Sequence, residues 1–231
     1  MRKTVFANEE YYHIYNRGVD KREVFLDEED FLRFLKNLRE FNSKLIREAR
    51  EVRSKFSELS SGAPELSSEN LEPLVEIVAY CLNPNHYHLI LKQNFEKGIE
   101  KFMHKLSTGY TNYFNKKYNR SGSLFQGRFK AIHIDSNEYL LHLSVYVNKN
   151  HFIHNYNSNG RSASTSLQAE WRYCSALDYL GKRNGKLCKK EIILDQFASK
   201  SELSSEKYAQ FLNANADYFR DKKELERYLL E

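Results

Sequence analysis

Two apolar runs, residues 74–82 (LVEIVAYCL) and 86–92 (HYHLILK), are separated only by Asn83-Pro84-Asn85. Both runs are short and rich in β-branched and aromatic residues, and the spacer is turn chemistry, so they read as two strands. Three residues cannot carry a crossover, which makes the pair antiparallel. A strand and a helix flank the pair on each side. Residues 11–18 (YYHIYNRG) form a strand ended by a turn at Arg17-Gly18. A helix starts near Asp27, an N-cap candidate, with Phe31, Phe34, Leu35, Leu38, Phe41, Leu45, Ile46 and Ala49 at helical spacing. After the hairpin comes a helix over residues 97–118, with Ile99, Phe102, Met103, Leu106, Tyr110, Tyr113 and Phe114 on its apolar side. A strand over 129–134 and a helix over 136–151 follow. The order β-α-β-β-α-β plus one helix is that of an α+β, ferredoxin-like split βαβ domain with an antiparallel sheet. Such a sheet leaves one face for a ligand or a further helix.

The core domain takes residues 1–154. Residues 58–73 (ELSSGAPELSSENLEP) carry no periodicity and read as a flexible loop. Residues 155–169 are a polar linker, and residues 170–231 read as a small helical C-terminal extension.

Composition narrows the class. A chain of 231 residues with 41% hydrophobic content can bury one good core. No segment has the 18 or so apolar residues of a membrane span, and the N-terminal residues lack the apolar stretch of a signal peptide, so no membrane is expected. Cys81, Cys174 and Cys188 are odd in number and far apart, which fits a reducing cytoplasm rather than a disulfide framework. Between Leu91 and Asp135 nine Lys or Arg face three acids, interleaved with Tyr110, Tyr113, Phe114, Tyr118, Phe125 and Phe129. Two readings stand open: a basic and aromatic surface for single-stranded nucleic acid, or a solvated helix face whose aromatics turn to the core.

His86 and His88 are two apart on a strand and share one face. They are either half-buried polar residues or two ligands of one metal, since neutral imidazole is the commonest protein metal ligand. The last helix of the core, SNEYLLHLSVYVNKNH, is free to lie across that face. In it Tyr146 and Asn150 project together, four residues apart. A tyrosine one turn before a carboxamide can supply a nucleophile and a metal-binding oxygen, or a packed aromatic and a helix cap.

Four separated motifs in this order, YHIYNRGVDKREVFLDEEDF, AYCLNPNHYHLILK, GSLFQGRFKAIHI and YLLHLSVYVNKN, resemble the single-tyrosine HUH transposases, in particular their REP-associated tyrosine transposase branch. A weaker fifth, EWRYCSALDYLG, resembles the Trp-Ser-Ser-Tyr region that follows the catalytic domain in many members. Asn83 stands where the family usually has methionine, and His151 where it usually has proline. The resemblance implies that residues 1–154 are an HUH catalytic domain, with His86, His88 and Asn150 as metal ligands and Tyr146 as DNA nucleophile. It implies cleavage and rejoining of single-stranded DNA through a 5′-phosphotyrosine. Carboxamide and phosphate oxygens favour a hard ion, Mg2+ or Mn2+. The substrate expected is a hairpin or palindromic element end, with Arg128, Lys130, Arg17 and Arg22 as DNA contacts and either a monomer or a homodimer at work. The other reading is a nucleic-acid-binding protein of the same fold that does not cut.

Overall fold

The computed structural model describes residues 4–42, 73–153, 171–198 and 203–221. Its core is a four-stranded antiparallel sheet of β1 (Tyr11–Arg17), β2 (Val75–Asn83), β3 (His86–Gln93) and β4 (Lys130–Ile134), in the order β2-β3-β1-β4. Helices α1 (Glu28–Glu40) and α2 (Gly98–Lys117) cover one face, and α3 (Asn137–Ile153) crosses the other. The ferredoxin-like order read from the sequence is thus the observed one.

Local chemistry explains the boundaries. Asp27 caps α1 by accepting a hydrogen bond from the Asp30 amide at 3.1 Å. Ser136 does the same for α3, its Oγ accepting from the Tyr139 amide at 3.3 Å. The α1 stripe buries Phe31, Phe34 and Leu38. Leu45, Ile46 and Ala49, along with residues 58–72 of the expected 58–73 loop and the 155–169 linker, lie outside the described residues. The last helix runs on through His151 to Ile153, because a residue with an amide hydrogen continues a helix that proline would break.

Antiparallel strands usually alternate between core and solvent, but β2 and the middle of β3 are buried almost continuously. Both of their faces are covered. On one side Tyr87 meets Phe34 and Phe125, with ring centroids 5.1 and 5.6 Å apart. On the other lies α3. β4, at the far edge, keeps Lys130 exposed on this second face, so that face is closed over β2 and β3 and open toward β4.

The interleaved aromatics of the basic stretch resolve mostly to the core. Tyr110, Phe114 and Phe125 are buried, and the Tyr110 hydroxyl donates to the Val24 carbonyl at 2.6 Å. Tyr113 and Tyr118 donate to the buried Asp30 carboxylate at 3.1 and 2.8 Å, and Lys117 joins it at 3.0 Å while pairing with Asp27 and Glu29 at 2.8 and 2.9 Å. Lys117 is therefore committed to α1 and not to a phosphate.

Residues 171–189 dock along the outer edge of β2. The Leu82 amide donates to the Tyr173 carbonyl at 3.0 Å, the Ser175 amide to Tyr80 at 2.9 Å and the Lys189 amide to Ile77 at 2.8 Å. Trp171 donates its indole N–H to the Leu82 carbonyl at 2.7 Å. These bonds satisfy edge groups that would otherwise face water or a second chain. A buried polar chain extends the junction into α3: the Ser175 hydroxyl donates to Asn148 Oδ1 at 2.6 Å. Asn148 Nδ2 in turn donates to the Tyr208 hydroxyl at 2.8 Å, on α6 (Ser204–Asp221). Two single-turn helices, α4 (Ala176–Tyr179) and α5 (Glu191–Leu194), lie between. Among the described residues no helix is long and apolar enough to cross a membrane.

Candidate active site

Strand register decides which side chains meet. Tyr15 pairs with His88 on one side and Lys130 on the other, Arg17 pairs with His86, and His13 with Ile90. On β2, Cys81 pairs with His88 and Asn83 with His86. Directly paired residues share a face, so Asn83, His86, His88, His13, Tyr15, Arg17 and Lys130 all belong to the face crossed by α3.

The structure brings together the four residues singled out in the sequence. The rings of His86 and His88 lie 5.2 Å apart, centroid to centroid. Asn150 directs Oδ1 to within 3.1 Å of His86 Nε2. Tyr146, one turn earlier on α3, sets its ring edge-on to His88 at 5.3 Å and to His13 at 6.0 Å. Tyr146 and Asn150 are fully buried and His88 is 4% exposed, while His86 is partly exposed and forms the solvent side of the group.

Two members escaped the sequence. His13 Nε2 lies 2.8 Å from His88 Nδ1, with the rings stacked at 5.1 Å. Burial in an apolar environment pushes the His13 imidazole down to about 3, so it is neutral and can accept a hydrogen bond. The other is Asn83, a turn residue by composition. It ends β2 fully buried, with Nδ2 at 2.9 Å from His86 Nε2 and in contact with Asn150 Oδ1. The alternation of YYHIY placed His13 and Tyr15 on one face, but nothing local to β1 says that it lies beside β3.

The basic residues separate. Lys130 is exposed beside the histidines, its ammonium 5.7 Å from the Tyr15 ring centroid. Arg17 donates to Gln126 Oε1 at 2.5 Å at the His86 end. Arg128 borders a cleft of about 770 Å³, with Phe6, Lys97, His104 and Phe129, on the α2 side of the molecule. Arg22 pairs with Asp20 at 3.4 Å, and both are largely solvent-exposed.

Chemically, the set offers two imidazoles and a carboxamide oxygen beside a phenol. Among the described residues no three His, Cys, Asp or Glu side chains gather as a metal group, so a cation here depends on carboxamide oxygen. The residues fit one. His86 Nδ1 lies 2.5 Å from Asn85 Oδ1, which can only accept, so Nδ1 carries the proton and Nε2 presents its lone pair beside Asn150 Oδ1. If His88 donates from Nδ1 to neutral His13, its Nε2 is likewise the ligating nitrogen.

No curated protein matches the chain. Among solved structures, a REP-associated tyrosine transposase bound to a REP hairpin aligns at 13% identity and a TM-score of 0.46, covering 79% of this chain and 86% of that one. The tRNA(His) guanylyltransferase of Saccharomyces cerevisiae aligns at 10% identity and a TM-score of 0.36, covering 90% and 73%. Residues 67–150, which span β2, β3, α2, β4 and α3 as far as Asn150, match the family model described as transposase IS200-like, so for that segment the resemblance carried by the sequence motifs is borne out.

Proposed function

We propose that this chain is a metal-dependent transposase that cleaves and rejoins single-stranded DNA through Tyr146, at hairpin or palindromic element ends. The observation that carries the reading is the convergence of Asn150 Oδ1 on His86 Nε2, at 3.1 Å, with Tyr146 one helical turn away against His88. Mg2+ or Mn2+ held by His86, His88 and Asn150 would supply Lewis-acid polarisation of the scissile phosphate. The chain's own groups do the rest. His13 fixes the orientation of His88, and Asn85 fixes that of His86. The Tyr146 phenol gives up its proton as its oxygen bonds to phosphorus, the bond from phosphorus to the 3′ oxygen breaks, and that oxygen takes up a proton and leaves as a hydroxyl. Attack by a phenol rather than water keeps the DNA attached as a 5′-phosphotyrosine, so the reverse step can rejoin strands.

His86 is the solvent-side member of the group, so a phosphate meets the site there, with Arg17 paired opposite His86 and Lys130 two positions along the same face. Arg128, by the α2 cleft, would hold DNA at a second place. Replacing Arg128 and Lys130 together by alanine is expected to weaken single-stranded DNA binding and lower the slope of log K against log salt by roughly 0.7 for each phosphate no longer neutralised. Titrations at several salt concentrations read this, and an unchanged slope would mean that neither side chain touches a phosphate.

Full burial of Tyr146 favours a second reading, a protein that binds DNA and does not cut. One experiment separates the two: hairpin-bearing single-stranded DNA is incubated with the protein and Mn2+, and a denaturing gel is read for a covalent adduct. Adduct supports the transposase. Binding without adduct across a panel of structured single strands favours the second reading.

A further inference from the structure

We propose that Asn83 is a fourth ligand of the cation, taking it through Oδ1 after its carboxamide turns over; this rests on the metal-site reading above. His86 Nε2 and Asn150 Oδ1 are both acceptors, because the proton of His86 sits on Nδ1 facing Asn85 Oδ1. Two acceptors 3.1 Å apart repel unless something positive lies against both. Here that something is the Asn83 amino group, 2.9 Å from His86 Nε2 and in contact with Asn150 Oδ1. An NH2 group offers two hydrogens, one for each acceptor. It therefore supplies the positive charge that a cation would supply, from a point beside the place the ion would take.

Asn83 cannot easily leave this place. It is the last residue of β2, paired in register with His86, and is 0% exposed. What it can do is rotate about the Cβ–Cγ bond, a torsion that is broad and nearly two-fold in asparagine. Rotation exchanges NH2 for Oδ1 at almost the same point and turns the amino group toward the Cys81 sulfur, which lies 3.8 Å from Oδ1 before the turn and is a weak acceptor. The site then offers two imidazole nitrogens and two carboxamide oxygens. Asn150 directs Oδ1 to His86, while its Nδ2 is buried with no hydrogen-bond partner among the described residues. One residue thus keeps the two acceptors together before the ion arrives and binds it afterwards.

The test is binding of Mn2+ alone, followed by calorimetry or by loss of the free-ion paramagnetic resonance signal, in the full chain and in its Asn83→Ala and Asn83→Met variants. Thermal unfolding in chelator checks that each variant folds, and methionine is the volume-filling alternative if alanine does not. A fourth ligand predicts affinity lowered on the order of ten-fold or more in both. If Asn83 only occupies the place of the ion, removing it frees two acceptors. Affinity that is unchanged or tighter in a folded variant overturns the proposal and leaves the three-ligand site standing. A wild-type chain that takes up no Mn2+ overturns both.

Discussion

The Tyr146→Phe protein should form no covalent adduct with single-stranded DNA, a loss on the order of 10⁴-fold or more in cleavage, as expected when a nucleophile is deleted. The change removes one oxygen and keeps the ring that packs edge-on against His88 and His13, so folding and Mn2+ uptake should survive. His88→Ala is expected to behave differently, losing metal affinity and cleavage together. The structure also disposes of most rival tyrosines. Tyr110, Tyr113 and Tyr118 spend their hydroxyls on Val24 and Asp30, on the opposite side of the sheet. Tyr15 is a rival by position, stacked 5.7 Å from His88, but burial pushes its phenol up to about 12 and favours the protonated form. The measurement is trapping of end-labelled DNA followed by mapping of the modified peptide. An adduct that persists in Tyr146→Phe, or maps to Tyr15, would transfer the nucleophile's role.

Trp171→Ala should destabilise the whole molecule by about 3–5 kcal/mol, the cost of emptying a buried aromatic site. Trp171 is 1% exposed, packs edge-on against Phe31 at 5.7 Å and stacks near His151 at 6.2 Å. Its indole N–H also holds the Leu82 carbonyl, one residue before Asn83. These interactions join the C-terminal part, α1, α3 and β2, so the lower stability should appear in a single denaturant transition shared by all of them. A separate early transition confined to the C-terminal residues, with the rest unchanged, would show that the extension is an independent appendage.

Much of this arrangement is written in local sequence. The period of two that places His86 beside His88, the Asp27 cap and the four-residue step from Tyr146 to Asn150 need nothing beyond a few neighbouring residues. What local sequence withholds is register between distant segments. The bond from His13 to His88 joins residues 75 positions apart and exists only because β1 inserts between β3 and β4. Asn83 looks like turn chemistry because its neighbours are Pro84 and Asn85, yet the strand continues through it and carries its side chain inward. The Lys117 charge was legible, but its three carboxylate partners on and beside α1 were not, because they depend on how α1 and α2 lie together.

The docking of residues 171–189 on β2 also sets an order of events during synthesis. When Asn150 leaves the ribosome, every strand of the sheet has been made, but the outer edge of β2 still lacks its partners from Tyr173, Ser175 and Lys189. At about 5–20 residues per second, those partners follow roughly two to eight seconds later. During that interval the nascent chain presents an uncovered strand beside the histidine pair, open to other nascent chains on the same message. A sparsely translated message keeps such chains apart, so the yield of folded protein should fall as ribosomes crowd together.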